Sequence, residues 1–413
     1  MIQLKIKNFG PIKLGFKEND GWLLIKKNTF FIGNQGSGKS TIAKLISTLS
    51  WLEKAINRGD VDKDSISFAK FHEFTKFHKI HNYFSKEESK KTYIEYKGDK
   101  YYIKYDRSEK SPIITDVSEG SYIVPKIMYI PSERNFLSTI NDAFGVTGLP
   151  GNLFTFAEEL KKAQRALGKT KLELQLGNYK YEYDENEDVS YILGKGFRLN
   201  LLEASSGLQS YIPLYLVARN LSLSLSKKEE SIRMLMSVTQ AIRMDNEIEI
   251  LRLNKKIPDI DKQKDIELIR AKYYSKCFIN VVEEPEQNLF PTSQWEMLKN
   301  LLIFNNLSSG NKLIVTTHSP YIINYLTIAV KGHEMYMKYH SDDFYSKMDR
   351  IISKESVVDA NELAIYECND IDGSINLLGD YNGLPSDENY LNNRLGEVND
   401  LFVKLLEIDE QCQ

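Results

Sequence analysis

The sequence predicts an α/β fold with a mixed sheet, and three stretches of the chain support this prediction. An apolar strand, "NTFFI", precedes "GNQGSGKS" and is followed by an amphipathic helical pattern. A second apolar strand, in "CFINVVEEPEQNLF" from Cys277, ends in two carboxylates. A third, in "KLIVTTHSPYIINYL" from Lys312, ends in a histidine and leads into another helical pattern. Strands that alternate with helices in this way form parallel or mixed sheets covered by helices.

The composition is that of a folded globular chain. Of its 413 residues, 42% are hydrophobic and 27% are charged, and the formal net charge is −3. The charge balance provides no global basic field that would recruit nucleic acid. Three widely spaced cysteines favour a reducing compartment, and no apolar run reaches the length of a membrane span. We therefore expect a cytoplasmic protein with no membrane contact.

The first motif is a phosphate loop. Gly33, Gly38, Lys39 and Ser40 fit the Walker A pattern Gly-x-x-x-x-Gly-Lys-Ser/Thr between a strand and a helix. Glycines let backbone N–H groups turn toward a phosphate, and the helix N-terminus adds partial positive charge. The motif predicts that ATP and Mg²⁺ are the cofactors, with the Ser40 hydroxyl on the metal. The predicted ATP-binding residues here are Gly33, Asn34, Gln35, Gly36, Ser37, Gly38, Lys39, Ser40 and Thr41.

The second motif is the pair of carboxylates at Glu283 and Glu284. A carboxylate at the end of a buried strand is costly to desolvate unless a cation or a donor meets it. In isolation, a solvated strand end would be the simpler interpretation. With the phosphate loop present, we interpret Glu283 as the acid near Mg²⁺ and Glu284 as the base that orients the attacking water. The predicted reaction is hydrolysis of ATP to ADP and phosphate, with Lys39 stabilising charge.

Two further motifs complete an ordered set. "LLEASSGLQSYIPLYLV" lies between the phosphate loop and the acidic strand, and His318 ends the strand that follows it. Each alone is equally compatible with a helix cap or a strand end. In this order, the chain resembles the ATP-binding-cassette (ABC) ATPases, in the branch that includes RecF, SMC, Rad50 and OLD-type proteins.

The resemblance carries specific expectations. It implies an ABC-type ATPase fold with a helical subdomain, and a homo-oligomer with ATP at the subunit interfaces. His318 corresponds to the histidine that senses the γ-phosphate, which makes it a catalytic candidate beside Glu284 and Lys39. The residues that match the signature contacting ATP on a second subunit are Ser205, Ser206, Gly207 and Gln209. The chain departs from the family pattern at Leu208, where a second glycine is usual, and at Glu283, where aspartate is usual.

The chain organisation is predicted as one ABC-type ATPase domain over 1–413 with three additions. They are an inserted lobe of helices and strands at 51–110, a coiled-coil-like helical insertion at 222–274, and a C-terminal strand and helix extension at 330–413. In the helical insertion, the sequence spacing predicts one apolar stripe through Ile232, Leu235, Val238 and Ile242, and a second beginning with Ile266, Leu268 and Ile269. This insertion could dock a partner or cover the core, and the basic, aromatic segment within 51–110 could be a mixed lobe or a nucleic-acid contact.

A loop segment and the tail narrow the resemblance further. "YIPSERN" from Tyr129 and "DIDGSINLL…GLPSDENYLNN" resemble ATPase components of bacterial anti-phage defence systems such as PARIS and Septu. This resemblance implies a sensor or scaffold that controls a separately encoded toxic effector, typically a nuclease, with DNA or a phage protein as trigger. The position of "YIPSERN" also matches the loop that carries a glutamine near Mg²⁺ in related transporters, so Glu133 or Arg134 would either lie near Mg²⁺ or form a local ion pair in a solvated loop. The alternative is a RecF- or SMC-like repair ATPase that binds DNA in an ATP-dependent way, while a transporter subunit is disfavoured.

Overall fold

The computed structural model describes residues 2–87, 89–117, 122–140, 142–225, 236, 238–254 and 258–412. The strands are β1 (Ile2–Lys7), β2 (Gly15–Phe16), β3 (Leu23–Ile25), β4 (Asn28–Gly33), β5 (Tyr93–Lys97), β6 (Tyr101–Asp106), β7 (Ile113–Asp116), β8 (Pro125–Ile130), β9 (Leu172–Glu173), β10 (Lys180–Asp184), β11 (Val189–Gly194), β12 (Phe197–Asn200), β13 (Cys277–Glu283), β14 (Lys312–Thr316), β15 (Leu363–Cys368), β16 (Ser374–Leu377), β17 (Asp380–Tyr381) and β18 (Leu384–Pro385). The helices are α1 (Lys39–Arg58), α2 (Phe68–Lys76), α3 (Gly151–Leu167), α4 (Ser206–Ser224), α5 (Val238–Leu253), α6 (Asp259–Tyr273), α7 (Pro291–Asn306), α8 (Pro320–Lys338), α9 (Asp342–Met348) and α10 (Tyr390–Cys412).

A seven-stranded mixed sheet lies at the centre, in the order β2-β16-β15-β4-β14-β13-β8. The five strands from β15 to β8 are parallel, and β16 runs antiparallel to β15. Their register aligns the carboxyl ends, since Glu283 pairs with Thr316, Thr316 with Phe31, and Cys368 with Gly33. The predicted α/β fold with a mixed sheet is confirmed.

Apolar side chains cover both faces of the central sheet. Along β4, Phe31 points to one face and packs with α1 and the N-terminal strands, while Phe30 and Ile32 point to the other. The second face is packed by α4, α7 and α8. Burial on both faces explains why these strands are almost continuous runs of apolar residues, as is usual for parallel sheets.

A second, antiparallel sheet has the order β3-β1-β5-β6-β7. Residues 51–58 continue α1, and β5 pairs directly with β1 from Gln3↔Lys97 to Lys7↔Tyr93. The segment 51–110 thus shares its sheet with the N-terminal strands. Its histidines serve packing: His72 stacks on Phe84 and contacts the Tyr105 hydroxyl at 2.8 Å.

A third sheet, in the order β12-β11-β10-β9, lies between α3 and α4 along the chain. Its tyrosines Tyr181 and Tyr183 and Ile192 are buried against α3 and α4 in the larger of the cores. The sequence analysis did not predict this sheet. It positions the chain immediately before "SSGLQ", the start of α4.

Helices α5 and α6 pack against one another through Met244, Ile248, Ile266 and Tyr273. The first apolar stripe predicted for this insertion is wrong where the structure describes it, because Val238 and Ile242 are exposed. In the second stripe, Ile266 is buried in this contact and Ile269 packs against it, whereas Leu268 is exposed. Ile232 and Leu235 lie outside the described residues. The buried face was misjudged because apolar residues occur on several sides of these helices, so their spacing alone does not select one face.

The tail contributes to the central sheet. Within 330–413, β15 lies beside the phosphate-loop strand β4, and the turn after it contacts the phosphate loop through Asp370, which accepts a hydrogen bond from Asn34 at 2.9 Å.

None of the helices in the described part of the chain combines the length and the apolar character that crossing a bilayer would require.

Candidate active site

The phosphate loop joins β4 to α1 at the carboxyl edge of the sheet. Gly33, Gly36 and Gly38 all have positive φ, at 137°, 77° and 103°. A Cβ at Gly38 would lie 2.3 Å from Cδ1 of Ile12, so the N-terminal loop closes on this glycine. No side chain caps α1, and its first N–H groups therefore remain available to an anion.

Lys39 is buried at the start of α1. Its ammonium donates to the carbonyls of Gly33 at 2.9 Å and Asn34 at 2.7 Å, which holds it over the loop. Burial lowers the pKa of Lys39 to about 8, partly offset by the charges of Glu284, Glu286 and Asp370. The side chain therefore remains a cation at neutral pH, as phosphate binding requires.

The acidic side chain of Glu283 is buried at the end of β13. One carboxylate oxygen, Oε2, accepts the Ser132 N–H at 3.4 Å. The other, Oε1, has no hydrogen-bond donor, and the Lys44 ammonium lies 3.8 Å from it. A buried carboxylate oxygen without a donor, close to the start of α1, fits a divalent cation that Ser40 would also ligate.

The described residues contain no group of three or more histidine, cysteine, aspartate or glutamate side chains that could cage a metal. This agrees with the chemistry of Mg²⁺, which in nucleotide sites is bound by one or two protein ligands together with phosphate oxygens and water. When bound, Mg²⁺ would neutralise phosphate charge. Glu283 and Ser40 fit this limited role.

Glu284 occupies a strained backbone position directly after β13, with φ of 44°. Residues other than glycine seldom adopt this left-handed region, and a strained residue of this kind persists only where its surroundings fix it. Its N–H donates to the Thr316 carbonyl at 2.8 Å, and its own carbonyl accepts from Arg134 at 2.6 Å. The backbone therefore holds Glu284 in one orientation.

The Glu284 carboxylate faces His318, with 3.3 Å between Oε1 and Nε2. The hydrogen bond to His318, assisted by the charges of Lys39 and Arg134, lowers the pKa of Glu284. Glu286 accepts the His318 N–H at 2.7 Å and so fixes the histidine backbone. An ionised carboxylate held beside a histidine suits a group that accepts a proton or orients a water molecule.

Arg134 has a role that neither of the two alternatives from the sequence describes. Its guanidinium is fully buried and does not extend toward the metal site. It donates to four backbone carbonyls, those of Pro131, Ser210, Glu283 and Glu284, at 2.6–3.2 Å. Burial lowers the pKa of Arg134 to about 10, which leaves it charged at neutral pH. Arg134 is therefore a clamp that joins α4 to the acidic strand, while Glu133 is exposed.

The signature residues lie at the N-terminus of α4. Ser205 and Ser206 are exposed, and the backbone of Gly207 approaches the Asn288 carbonyl closely enough that a Cβ would lie 3.0 Å from it. Leu208 points into the core, so its replacement of a glycine does not obstruct this helix end.

Gln209 faces inward. Its side-chain amide donates to the carbonyls of Leu201 and Leu202 at 3.2 and 2.9 Å. This interaction stabilises the turn that precedes α4 and directs the amide away from solvent.

The structure thus brings the phosphate loop, Glu283, Glu284 and His318 together, whereas the described hydrogen bonds do not join Ser205 or Ser206 to the phosphate loop.

Comparison with known proteins gives structural matches only. No protein-family model matches the chain, and no curated protein matches it in sequence. The SMC head domain from Thermotoga maritima is 12% identical with a TM-score of 0.38, over 92% of this chain and 98% of that one. An SMC head bound to the C-terminal winged-helix domain of ScpA is 13% identical with a TM-score of 0.37, over 91% and 96%. A dimeric ATP-binding cassette bound to ADP and Pi is 12% identical with a TM-score of 0.29, over 92% and 100%.

The architecture and the motif positions define the class of fold. The chain is an α/β protein whose phosphate loop lies at the carboxyl edge of a mixed sheet. The strand that ends near His318 lies between the phosphate-loop strand and the acidic strand, and all three end at the same edge of the sheet. This edge is where α/β sheets bind their ligands.

Proposed function

We propose that the chain binds ATP with Mg²⁺ in its phosphate loop and hydrolyses it with Glu284 as the base. The observation that carries this proposal is the backbone of Glu284, fixed in a strained conformation with its carboxylate 3.3 Å from His318 and under the influence of the Lys39 charge. Ser40 and Glu283 would hold the metal. Lys39 would bind the β and γ phosphates, and Glu284 would orient the water that attacks the γ-phosphate.

We further propose that a second copy of the chain completes the site. Ser205 and Ser206 are exposed at the N-terminus of a 19-residue helix, where backbone N–H groups and the helix dipole favour an anion. This end of α4 is anchored from behind by Arg134 and by Asn288, whose amide donates to the Ser210 hydroxyl at 2.9 Å. A rigid and exposed helix end is suited to contact the nucleotide of another copy.

The test is the Glu284→Gln variant, measured for ATP binding and for phosphate release. We expect phosphate release to fall by roughly 10²–10⁴-fold, the contribution typical of a general base, while ATP affinity changes little. Glu334→Gln is the matched control, because Glu334 is an exposed glutamate on α8 paired with Lys331. Phosphate release at the wild-type rate in Glu284→Gln would overturn the role of Glu284.

For the biological role, we propose an ATPase subunit of an anti-phage defence system that controls a separate effector. The support is the resemblance of the "YIPSERN" and tail segments noted above, together with a net charge of −3 that gives no general attraction to DNA. The test is the plating efficiency of phages on cells that carry the gene with its genomic neighbours. Protection should be lost in Lys39→Ala, and absence of any protection by the wild type would reject this role.

The RecF- or SMC-like alternative makes a different measurable prediction. A DNA-binding ATPase should bind duplex DNA more tightly with ATP, and its affinity should fall steeply between 50 and 200 mM salt, which we take as about 10³-fold for six phosphate contacts. Fluorescence anisotropy with labelled duplex DNA measures this directly. Nucleotide-dependent, salt-sensitive binding would favour this alternative over the defence role.

A further inference from the structure

The contacts described between the C-terminal helix α10 and the core lie in the first turn of this helix. The Tyr390 N–H donates to the Glu367 carboxylate at 2.8 Å, Leu391 is buried, and the Asn392 amide contacts Asn324 at 3.3 Å. From residue 393 to residue 411, every position is exposed. At 1.5 Å per residue, about 28 Å of this helix therefore stands away from the described core.

One side of the exposed helix is apolar. Its side chains follow the three- and four-residue spacing of a helix-pairing seam, flanked by further apolar positions. Each of these side chains is between 48% and 64% exposed. They are Leu395, Val398, Leu401, Phe402, Leu405, Leu406 and Ile408.

A helix of this kind is poorly stabilised alone. Isolated helices are marginal in water, and Gly396 lowers the helix propensity further. Monomeric proteins normally expose apolar residues singly. A continuous apolar stripe of this length therefore marks an interaction surface. The helix therefore requires a partner that covers its apolar face.

We propose that this partner is α10 of a second copy of the chain, packed antiparallel. With a two-fold axis between Leu401 and Phe402, Leu401 of one copy would contact Phe402 of the other. The same axis would bring Leu395 opposite Ile408 and Val398 opposite Leu405. Six of the seven apolar positions would then meet another apolar residue, while Leu406 would lie opposite Glu397. This matching of one surface with itself is what a two-fold interface requires.

The charges on this face select the same arrangement. At helical spacing, Arg394 and Asp409 fall within the apolar stripe, one at each end. Within its own chain, Arg394 pairs with Glu397 at 2.6 Å. Antiparallel pairing about the same axis brings this group of one copy close to Asp409 of the other, whereas parallel pairing sets like charges together. Opposite charges at paired positions specify partner and orientation in helix pairs. The surface is distinct from the nucleotide site, and the proposal does not depend on the proposed function.

The first test is the native mass of the full chain in EDTA without nucleotide, at about 10 μM, by sedimentation or light scattering. Phe402→Asp places a charge at the centre of the seam and should halve the mass relative to wild type. Val403→Asp is the matched control, since Val403 is similarly exposed on the same helix but lies off the seam, and it should leave the mass unchanged. A wild-type mass of 47.7 kDa, or a mass unchanged by Phe402→Asp, would overturn the proposal.

The second test determines orientation by disulfide cross-linking in a Cys412→Ser background. The other two cysteines, Cys277 and Cys368, are buried. Antiparallel pairing predicts that a mixture of Leu395→Cys and Ile408→Cys chains cross-links on mild oxidation, while either chain alone does not. Cross-linking of Leu395→Cys with itself would indicate parallel helices and contradict the proposal. A monomeric wild type would instead assign this face to a different protein, which also contradicts it.

Discussion

Replacing Arg134 with methionine tests whether the buried guanidinium holds the acidic strand β13 in place. The substitution removes four charged hydrogen bonds to backbone carbonyls. Two of these carbonyls, those of Pro131 and Glu284, also accept a backbone N–H, and that of Ser210 lies within α4. The substitution therefore does not leave all four without a donor.

The magnitude follows from these contacts. A hydrogen bond to a charged group contributes about 1.5–3 kcal/mol, and removal of one partner from a buried charged arrangement costs about 3–5 kcal/mol. With alternative donors for several of the carbonyls, we expect Arg134→Met to lower the free energy of unfolding by about 3–4 kcal/mol. Arg134→Lys should lower the free energy of unfolding by less, because lysine keeps the charge. It should still lower it, because one ammonium cannot reach the carbonyls of α4 and those of the acidic strand together.

Urea unfolding followed by circular dichroism measures the stability, and phosphate release measures the activity at a temperature where the variant is folded. Because Arg134 fixes the carbonyl of Glu284, hydrolysis should fall by at least tenfold even in the folded variant. ATP affinity should change little, since no described hydrogen bond joins Arg134 to the phosphate loop. A stability loss below about 1 kcal/mol, within the range of an ordinary surface substitution, together with wild-type activity, would refute the clamp.

Further predictions concern the phosphate loop. Because only the ammonium form of Lys39 binds phosphate, ATP affinity should fall as pH rises through about 8, its pKa in the nucleotide-free protein, and calorimetric titrations from pH 6.5 to 9.5 measure this. The stability of the nucleotide-free protein should move in the opposite direction and rise between pH 8 and 10.5, because the unfolded chain then holds more protons on this lysine; equal affinity at pH 7 and pH 9 would contradict the assignment. Gly38→Ala should reduce ATP affinity at least tenfold and lower the melting temperature, since its Cβ would lie 2.3 Å from Ile12. In Gly36→Ala the new Cβ meets no atom within 4 Å, so this variant should lower the free energy of unfolding by only about 1 kcal/mol, the strain of its positive φ. Comparable losses in both variants would show that backbone conformation, and not the contact with Ile12, sets the requirement at Gly38.

The sequence predicted the central elements of the site because their signals are local. The phosphate loop, the pair Glu283 and Glu284, and His318 each consist of a few residues at fixed spacing after an apolar strand. Parallel strands bring their carboxyl ends to one edge, so three local signals become one cluster without any knowledge of side-chain packing. The roles assigned to these residues stay predictions until the variants above are measured.

The features that sequence reasoning missed depend on distant contacts. Arg134 meets the carbonyls of Glu283 and Glu284, which are 149 and 150 positions away, and no local pattern reveals this. The face of α5 that is buried depends on where α6 packs, and Met244 rather than Val238 lies in that contact. The neighbours of Arg134 in the sequence, Glu133 and Asn135, are polar, so the local sequence gives no sign that the guanidinium is buried.

The contacts of Arg134 also bear on how a second copy would influence hydrolysis. Ser210, one turn after the exposed Ser206, accepts from Arg134 through its carbonyl and from Asn288 through its hydroxyl. The same guanidinium donates to the carbonyl of Glu284. The first turn of α4 and the backbone of Glu284 therefore cannot shift relative to each other without breaking a buried charged hydrogen bond. A second copy that contacts Ser205 and Ser206 would act on a helix end mechanically joined to Glu284, which gives a physical reason for hydrolysis to depend on association.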